Sequence, residues 1–441
     1  MKKLKMVTLW LALGAMLLTG CSFRPVTEMY RLPKRSDFYQ DLQSAVDAAM
    51  VGLEYCAPLT GEQRQTVQMA DLDGDWEDEY LVFAKGGSDQ PMRILIFDKV
   101  EDSFIHMETI QSAGTCFDQV EYVQMDGEAG VEVVVGRQLN DQVVRTLSVY
   151  GFQAGCAEQL LTAAYSKYLT INLDGDNANE LVVIRPGETE TDRGVVEMYS
   201  IEAGRAQKSV EVNMSEPVDN IKRILPGKLH GGEPAVYIAS TVGDSALITD
   251  VYAVVDGVFT NLTFSNESGT SVATLRNYYV YAEDIDGDGV VELPDLITMR
   301  TSPERSAVAD QYLIRWYAMT VDGGEVDKLC TYHNFINGWY LKVNSHRISD
   351  LVVREQGNDY SFCLWDEATQ SLQTLLTVSV LTGQNRQEQS EANGRFVLYH
   401  TESVIYAAKL EQLAIDYGVT DQEVIQNFRL IHQEWKTGET E

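Results

Sequence analysis

DLDGDWEDE at residues 71–79 returns as QMDGEAGVE at 124–132, NLDGDNANE at 172–180 and DIDGDGVVE at 284–292; KLHGGEPAV at 228–236 is a copy that has lost its acids. Aligned on Asp73, Asp126, Asp174, His230 and Asp286, the copies stand 53, 48, 56 and 56 residues apart. A period of that length marks a repeated supersecondary unit. The flanks say which kind. TVQMADL leads into the first loop, and EYLVFAK, MRILIFD and FIHMETI follow it, separated by GGSDQP and KVEDS. The third copy repeats this layout with YLTINL, ELVVIR, VVEMYSI and QKSVEV. Four short β-rich runs per period is the anatomy of a propeller blade, in which sheets pack radially and leave only short edges exposed. The expected fold is therefore mainly β, a β-propeller built from four-stranded repeats of about 50 residues across residues 60–330.

The loop carries chemistry as well as period. In DIDGDGVVE the side chains of Asp284, Asp286 and Asp288 alternate along a tight turn, so their oxygens converge, while Gly287 and Gly289 supply positive φ. The Val290 carbonyl and the Glu292 carboxylate complete a shell of hard oxygens, which suits Ca²⁺ better than Mg²⁺ or zinc. Without a cation, such neighbouring carboxylates raise one another's pKa and weaken the loop. The same reading makes candidate ligands of Asp71, Asp73, Asp75 and Glu79, where Trp76 replaces the second glycine, and of Asn172, Asp174, Asp176 and Glu180. Gln124, Asp126, Glu128 and Glu132 read as structural only. The competing explanation is a set of Asx turns, whose carboxylates cap backbone amides. An EF-hand reading of the last copy, with Asp295 at the twelfth position, needs flanking helices, and NYYVYAE before it reads as strand.

The pattern D-x-D-G-D-x-x-x-E followed by a hydrophobic strand resembles the FG-GAP or VCBS-type repeat of integrin α-chain propellers and many bacterial surface proteins. The resemblance spans roughly residues 60–330 and implies calcium in the acidic loops, although the FG and GAP signatures themselves are not evident and the fourth copy lacks the acids.

The chain's N-terminal part supplies an address. Lys2, Lys3 and Lys5 precede the apolar MVTLWLALGAMLLTG, which at about fifteen residues is short for a membrane span and suits an export signal. Leu18-Thr19-Gly20-Cys21 resembles the lipobox of bacterial lipoproteins, which implies lipid on Cys21 and places residues 1–21 in the signal. Residues 22–59 read as a tether plus a helix at 36–53, with Phe38, Leu42, Val46, Met50 and Leu53 near one face. Losing residues 1–21 removes three lysines and no acid, moving the net charge from -32 to -35, a field that repels nucleic acid and anionic lipid surfaces. Five further cysteines, at 56, 116, 156, 330 and 363, form no metal motif and leave room for one bridge.

Residues 331–441 read as a C-terminal α+β module, or else as degenerate final blades plus helices. SVIYAAKLEQLAIDYG is expected to be helical, and Thr420 with Glu423 forms a capping box opening a helix striped by Val424, Phe428, Ile431 and Trp435. The functional expectation is a lipid-anchored protein on the extracytoplasmic face of the cell membrane, a calcium-stabilised scaffold presenting a face to a protein or glycan. No catalytic constellation is visible. The alternative is an extracellular carbohydrate-active lyase or hydrolase on the same scaffold, with Tyr332, His333, Trp339 and Tyr340 as a sugar-stacking group.

Overall fold

A computed structural model describes residues 37–101, 103–139, 145–153, 155–189, 192–300, 312–343 and 349–432. The segments expected to be signal and tether, with Cys21, lie outside these residues up to residue 36, as does Trp435. No helix among the described residues is long and apolar enough to cross a membrane.

The described chain folds into six antiparallel sheets, met one after another. Sheet one contains Val67–Ala70, Glu79–Lys85, Met92–Val100 and Ser103–Ser112, with the short Glu54–Tyr55 added beside Glu79–Lys85. Sheet two runs from Cys116–Val123 to Cys156–Tyr165, and sheet three from Lys167–Ile171 to Arg205–Lys208. Sheet four runs from Ile221–Lys228 to Val258–Asn261. Sheet five holds Glu292–Thr298, Tyr312–Met319, Glu325–Asn334 and Trp339–Val343, and sheet six runs from Leu351–Gln356 to Val404–Leu410. This serial, mainly β arrangement is propeller-like, as the repeat predicts.

Apolar residues on both faces of the central strands explain the stacking. Leu81, Phe83, Ile94 and Ile96 of sheet one meet Phe117, Val120, Val133 and Val135 of sheet two. The residues between them in sequence turn the other way, so Val134, Leu147 and Val149 of sheet two meet Leu181, Val183 and Tyr199 of sheet three. The same alternation joins sheet three to four, four to five and five to six. Sheet one spends its remaining face, Val82, Ala84, Leu95 and Phe97, on the helix Asp37–Ala49, through Leu42 and Val46. The helix expected at 36–53 is thus present, ending at Ala49 among the described residues, and it covers a face of sheet one.

Three expectations in the C-terminal region change. The division at residue 330 falls inside the strand Glu325–Asn334, because hairpins continue after the acidic loop is lost. Val404–Leu410 is a strand of sheet six, not a helix; its run IYAA at 405–408 is buried residue after residue, which a β-rich segment between two packed faces achieves. Only Gln412–Asp416 behind it is helical. Thr420 does cap Asp421–Asn427, its side chain accepting from Glu423 N at 3.2 Å, but the chain then straightens at Phe428–Leu430 and pairs with Trp339–Leu341 of sheet five.

Candidate functional site: a rim of acidic loops

Every copy of the acidic loop occupies the same turn of its sheet. The residue before each loop pairs with the glutamate that ends it: Ala70 with Glu79, Val123 with Glu132, Ile171 with Glu180, and Glu283 with Glu292. The fourth sheet makes a shorter turn between Lys228 and Pro234. Asp295 lies beyond the loop, inside a strand opposite Arg315, so it neither replaces nor assists Glu292, and no helix flanks that loop.

The four terminal glutamates share one job that the sequence reading did not assign. Each is buried and turns back to accept the backbone N–H seven residues earlier: Leu72 N on Glu79 at 2.7 Å, Met125 N on Glu132 at 2.7 Å, Leu173 N on Glu180 at 2.6 Å and Ile285 N on Glu292 at 3.1 Å. The loop is closed by a side-chain staple, with or without the other acids. Burial pushes each of these carboxyls up to about 7, against the smaller opposing effect of the hydrogen bond from the amide it accepts.

Inside the loop the aspartates cap amides, as the Asx-turn reading requires. Asp71 accepts from Gly74 N at 2.7 Å and Trp76 N at 3.0 Å, Asp73 from Asp75 N at 3.3 Å, and Asp75 from Glu77 N at 2.8 Å. Asn172 accepts from Gly175 N at 2.8 Å, and Asp284 from the amides of Gly287, Asp288 and Gly289. These turns do not use up the oxygens. Asp71 with Asp73 and Glu79, Asp174 with Asp176 and Glu180, and Asp284 with Asp286 and Glu292 each bring carboxylate oxygens within 4.8 Å of one another.

That donor set fits a hard divalent cation. In the last loop the fit has an added sign, since Glu292 Oε1 is buried and makes no hydrogen bond. Asp75 and Asp288 stand outside these groups. Asp288 instead pairs with Lys328 Nζ, which also lies 3.7 Å from Glu292 Oε1, and the ammonium holds the Asp288 carboxyl below its ordinary range. Lys328, 36 positions beyond Glu292 in sequence, was invisible to motif reading; it supplies the last loop with a positive charge of its own. Val290 contributes its amide to Asp288 Oδ1 at 2.9 Å.

Neighbouring loops touch. Gly130, at φ 95°, passes so close to Leu72 that a Cβ there would meet the Leu72 carbonyl oxygen at 2.3 Å. Asn179 donates its backbone N at 2.9 Å and its side-chain Nδ2 at 3.0 Å to the Gln124 carbonyl. Val291 N donates to Lys228 O at 3.0 Å. Loops one, two and three therefore form one continuous lip, and loops four and five another. At the seam of the first two lies a groove lined by Asp71, Trp76, Tyr122, Gln124 and Glu128. Trp76 is 94% exposed there and holds φ 72°, where the last loop uses Gly289 at φ 86°.

The expected sugar-stacking group is elsewhere and closed. Tyr332, His333, Trp339 and Tyr340 are all buried; Trp339 stacks with Phe428 at 5.6 Å and His333 with Tyr340 at 5.0 Å. Burial drives the His333 pKa down to about 3, so the ring is neutral throughout the neutral range. An apolar cavity of about 410 Å³ lies between sheets five and six beneath the C-terminal helices, far from the acidic lips in sequence.

No family model matches the chain, and no curated protein does either. Among solved structures it is similar to a protein from Lactobacillus plantarum at 14% identity, covering 72% of this chain and 86% of that one, with a TM-score of 0.29. The rhamnogalacturonan lyase YesW is similar at 13% identity over 74% of this chain and 67% of its own, with a TM-score of 0.30. A rhamnogalacturonan lyase from Bacillus licheniformis stands at 13% identity, 73% and 72% coverage and a TM-score of 0.28. Likenesses this low carry no functional argument.

Proposed function

We propose that this chain is a lipid-anchored, extracytoplasmic binding protein, in which calcium stiffens the acidic lips of a propeller-like body and the stiffened rim presents Trp76 to a protein or glycan partner. Asp71, Asp73 and Glu79 hold one ion, Asp174, Asp176 and Glu180 with Asn172 a second, and Asp284, Asp286 and Glu292 a third. The ion supplies charge neutralisation and cross-linking; the chain's own residues supply the staple, the turns and the contacts between loops. Because the loops sit where one sheet meets the next, stiffening a loop also fixes a seam between sheets.

The observation that carries the reading is Trp76. A fully solvated indole on a left-handed backbone costs the fold stability, by roughly 1 kcal/mol for the backbone alone, and gains it no packing. Its exposure at a groove between two loops supports a recognition role. The test is retention of the full chain and of Trp76→Ala on immobilised cell-wall polysaccharides and on cell-surface protein fractions, in calcium and in chelator. The reading expects retention that needs both calcium and Trp76; equal retention of the variant overturns it.

A carbohydrate-active lyase or hydrolase is the second reading, favoured by carboxylates at Asp71 and Glu128 beside Trp76 in that groove. Incubation with a panel of uronate-containing and neutral polysaccharides tests it: a lyase releases unsaturated uronate that absorbs in the ultraviolet, a hydrolase releases reducing ends without it, and a binding protein does neither.

A further inference from the structure

Cys56 and Cys116 are separated by 60 positions in sequence, yet the fold brings their segments side by side. Glu54 and Tyr55 pair with Lys85 and Ala84 of sheet one, and Cys56 N continues that pairing by donating to Phe83 O at 2.9 Å. The chain then crosses to sheet two. Leu59 N donates to Phe117 O at 3.2 Å and Thr60 N to Asp118 O at 2.8 Å, so the two segments advance in the same direction and Cys56 falls beside the residues just before Phe117. From the other side Lys85 Nζ donates to Thr115 O at 2.7 Å, which ties the start of sheet two to the strand that Cys56 borders. Cys56 packs on the core shared by sheets one and two, where Phe83 and Phe117 meet edge to face at 5.1 Å.

Cys56 Sγ lies against the backbone amide of Phe117, the residue that follows Cys116, and burial is the main reason that the Cys56 thiol titrates above its ordinary value. Both residues are half-buried. Cys116 Sγ touches Gln138 Oε1 at 3.4 Å, a weak thiol contact that a side-chain rotation gives up cheaply. The other described cysteines lie apart: Cys156 opens the outermost strand of sheet two, and Cys330 and Cys363 are buried in sheets five and six.

We propose that Cys56 and Cys116 are a disulfide-forming pair that locks the leader segment 54–60 across the seam of the first two sheets. The step is thiol–disulfide exchange. One thiolate attacks the disulfide of an oxidised dithiol oxidoreductase or of a small-molecule disulfide, releasing one thiol. The second thiolate then displaces the other sulfur, so the two cysteines lose two protons and two electrons and the oxidant leaves as two thiols. The bond closes a loop holding most of sheet one, and cross-links of that span restrict the unfolded chain strongly. An exported chain meets such oxidants, but the chemistry is decided on purified protein wherever the chain resides, so its failure and the failure of the binding reading are separate events.

The test is disulfide mapping of the full chain. The protein is equilibrated with oxidised glutathione, its free thiols are alkylated under denaturing conditions, and the unreduced digest is read by mass spectrometry. The expected result is one linked peptide pair joining Cys56 to Cys116, abolished by reductant and by Cys56→Ser, retained in Cys156→Ser, with Cys330 and Cys363 alkylated. The oxidised protein should melt several degrees above the reduced one, and Cys116→Ser should erase that difference. Alkylation of both Cys56 and Cys116 after oxidation, or their capture by glutathione or by other cysteines, overturns the proposal without requiring any variant to fold.

Discussion

Calcium should stabilise this protein in a strongly pH-dependent way, and the size of the effect follows from the buried staples. In each candidate loop the glutamate climbs from its ordinary 4.5 to about 7 because burial disfavours the charged form. At about 1.4 kcal/mol per pH unit, that sets a ceiling of about 3 kcal/mol per loop; solvent reaching the rim reduces it to about 1–2 kcal/mol. A folded-state pKa raised above the unfolded one means that the ion-free protein holds these protons more tightly when folded. The corresponding stability is complete below about pH 4.5 and is lost as the pH rises through about 7. Calcium binds the ionised carboxylates and restores what ionisation removes. Three loops together give about 3–6 kcal/mol, or roughly 3–10 °C in melting temperature for a chain of this size. Scanning calorimetry with millimolar calcium and with chelator, at about pH 5 and about pH 8, reads this directly. The expected outcome is little calcium effect at the acidic pH and a shift of several degrees at the alkaline one. Coincident melting curves at the alkaline pH would refute the reasoning.

Glu132 staples the loop that has no complete cation site, so its two substitutions should separate the staple from the ion. Glu132→Gln keeps an acceptor for Met125 N without the buried charge and should leave alkaline stability equal or higher, whereas Glu132→Ala orphans that amide and should cost about 1–3 kcal/mol in denaturant titration. Trp76→Gly should raise stability by roughly 1 kcal/mol through relief of the left-handed backbone, while abolishing partner retention. Lys328→Met should deepen calcium dependence: with its internal cation gone, the loop at 284–292 should melt earlier in chelator and gain more from added calcium than the parent does.

Much of the fold was legible because one signal repeated. A nine-residue loop at a nearly fixed period located the same turn in four sheets, and the alternating apolar runs around it gave the strands. The signal faded where the acids did. Sheet six has the same hairpins without the loop, and the segment VIYAAKLEQL was read as helix because apolar runs of that length do not distinguish a strand buried on both faces from a helix. The site was half legible. Asp71, Asp73 and Glu79, with their counterparts, do converge, and the Asx-turn alternative proved to be the same geometry, since the oxygens that cap amides also face one another. Lys328 was out of reach because its partner loop lies on a different strand pairing, and the role of the glutamates as staples required knowing which amide each one meets. Tyr332 and Trp339 misled in the usual direction: aromatic residues beside a hairpin were core.

The most direct measurement is a crystal structure of the protein grown in millimolar calcium, with anomalous scattering recorded to identify the ion. The account predicts density at the first acidic loop with carboxylate oxygens of Asp71, Asp73 and Glu79 at about 2.3–2.6 Å, and the Leu72 amide still donating to Glu79. Loops in this same conformation, filled only by water at that calcium concentration, would contradict it.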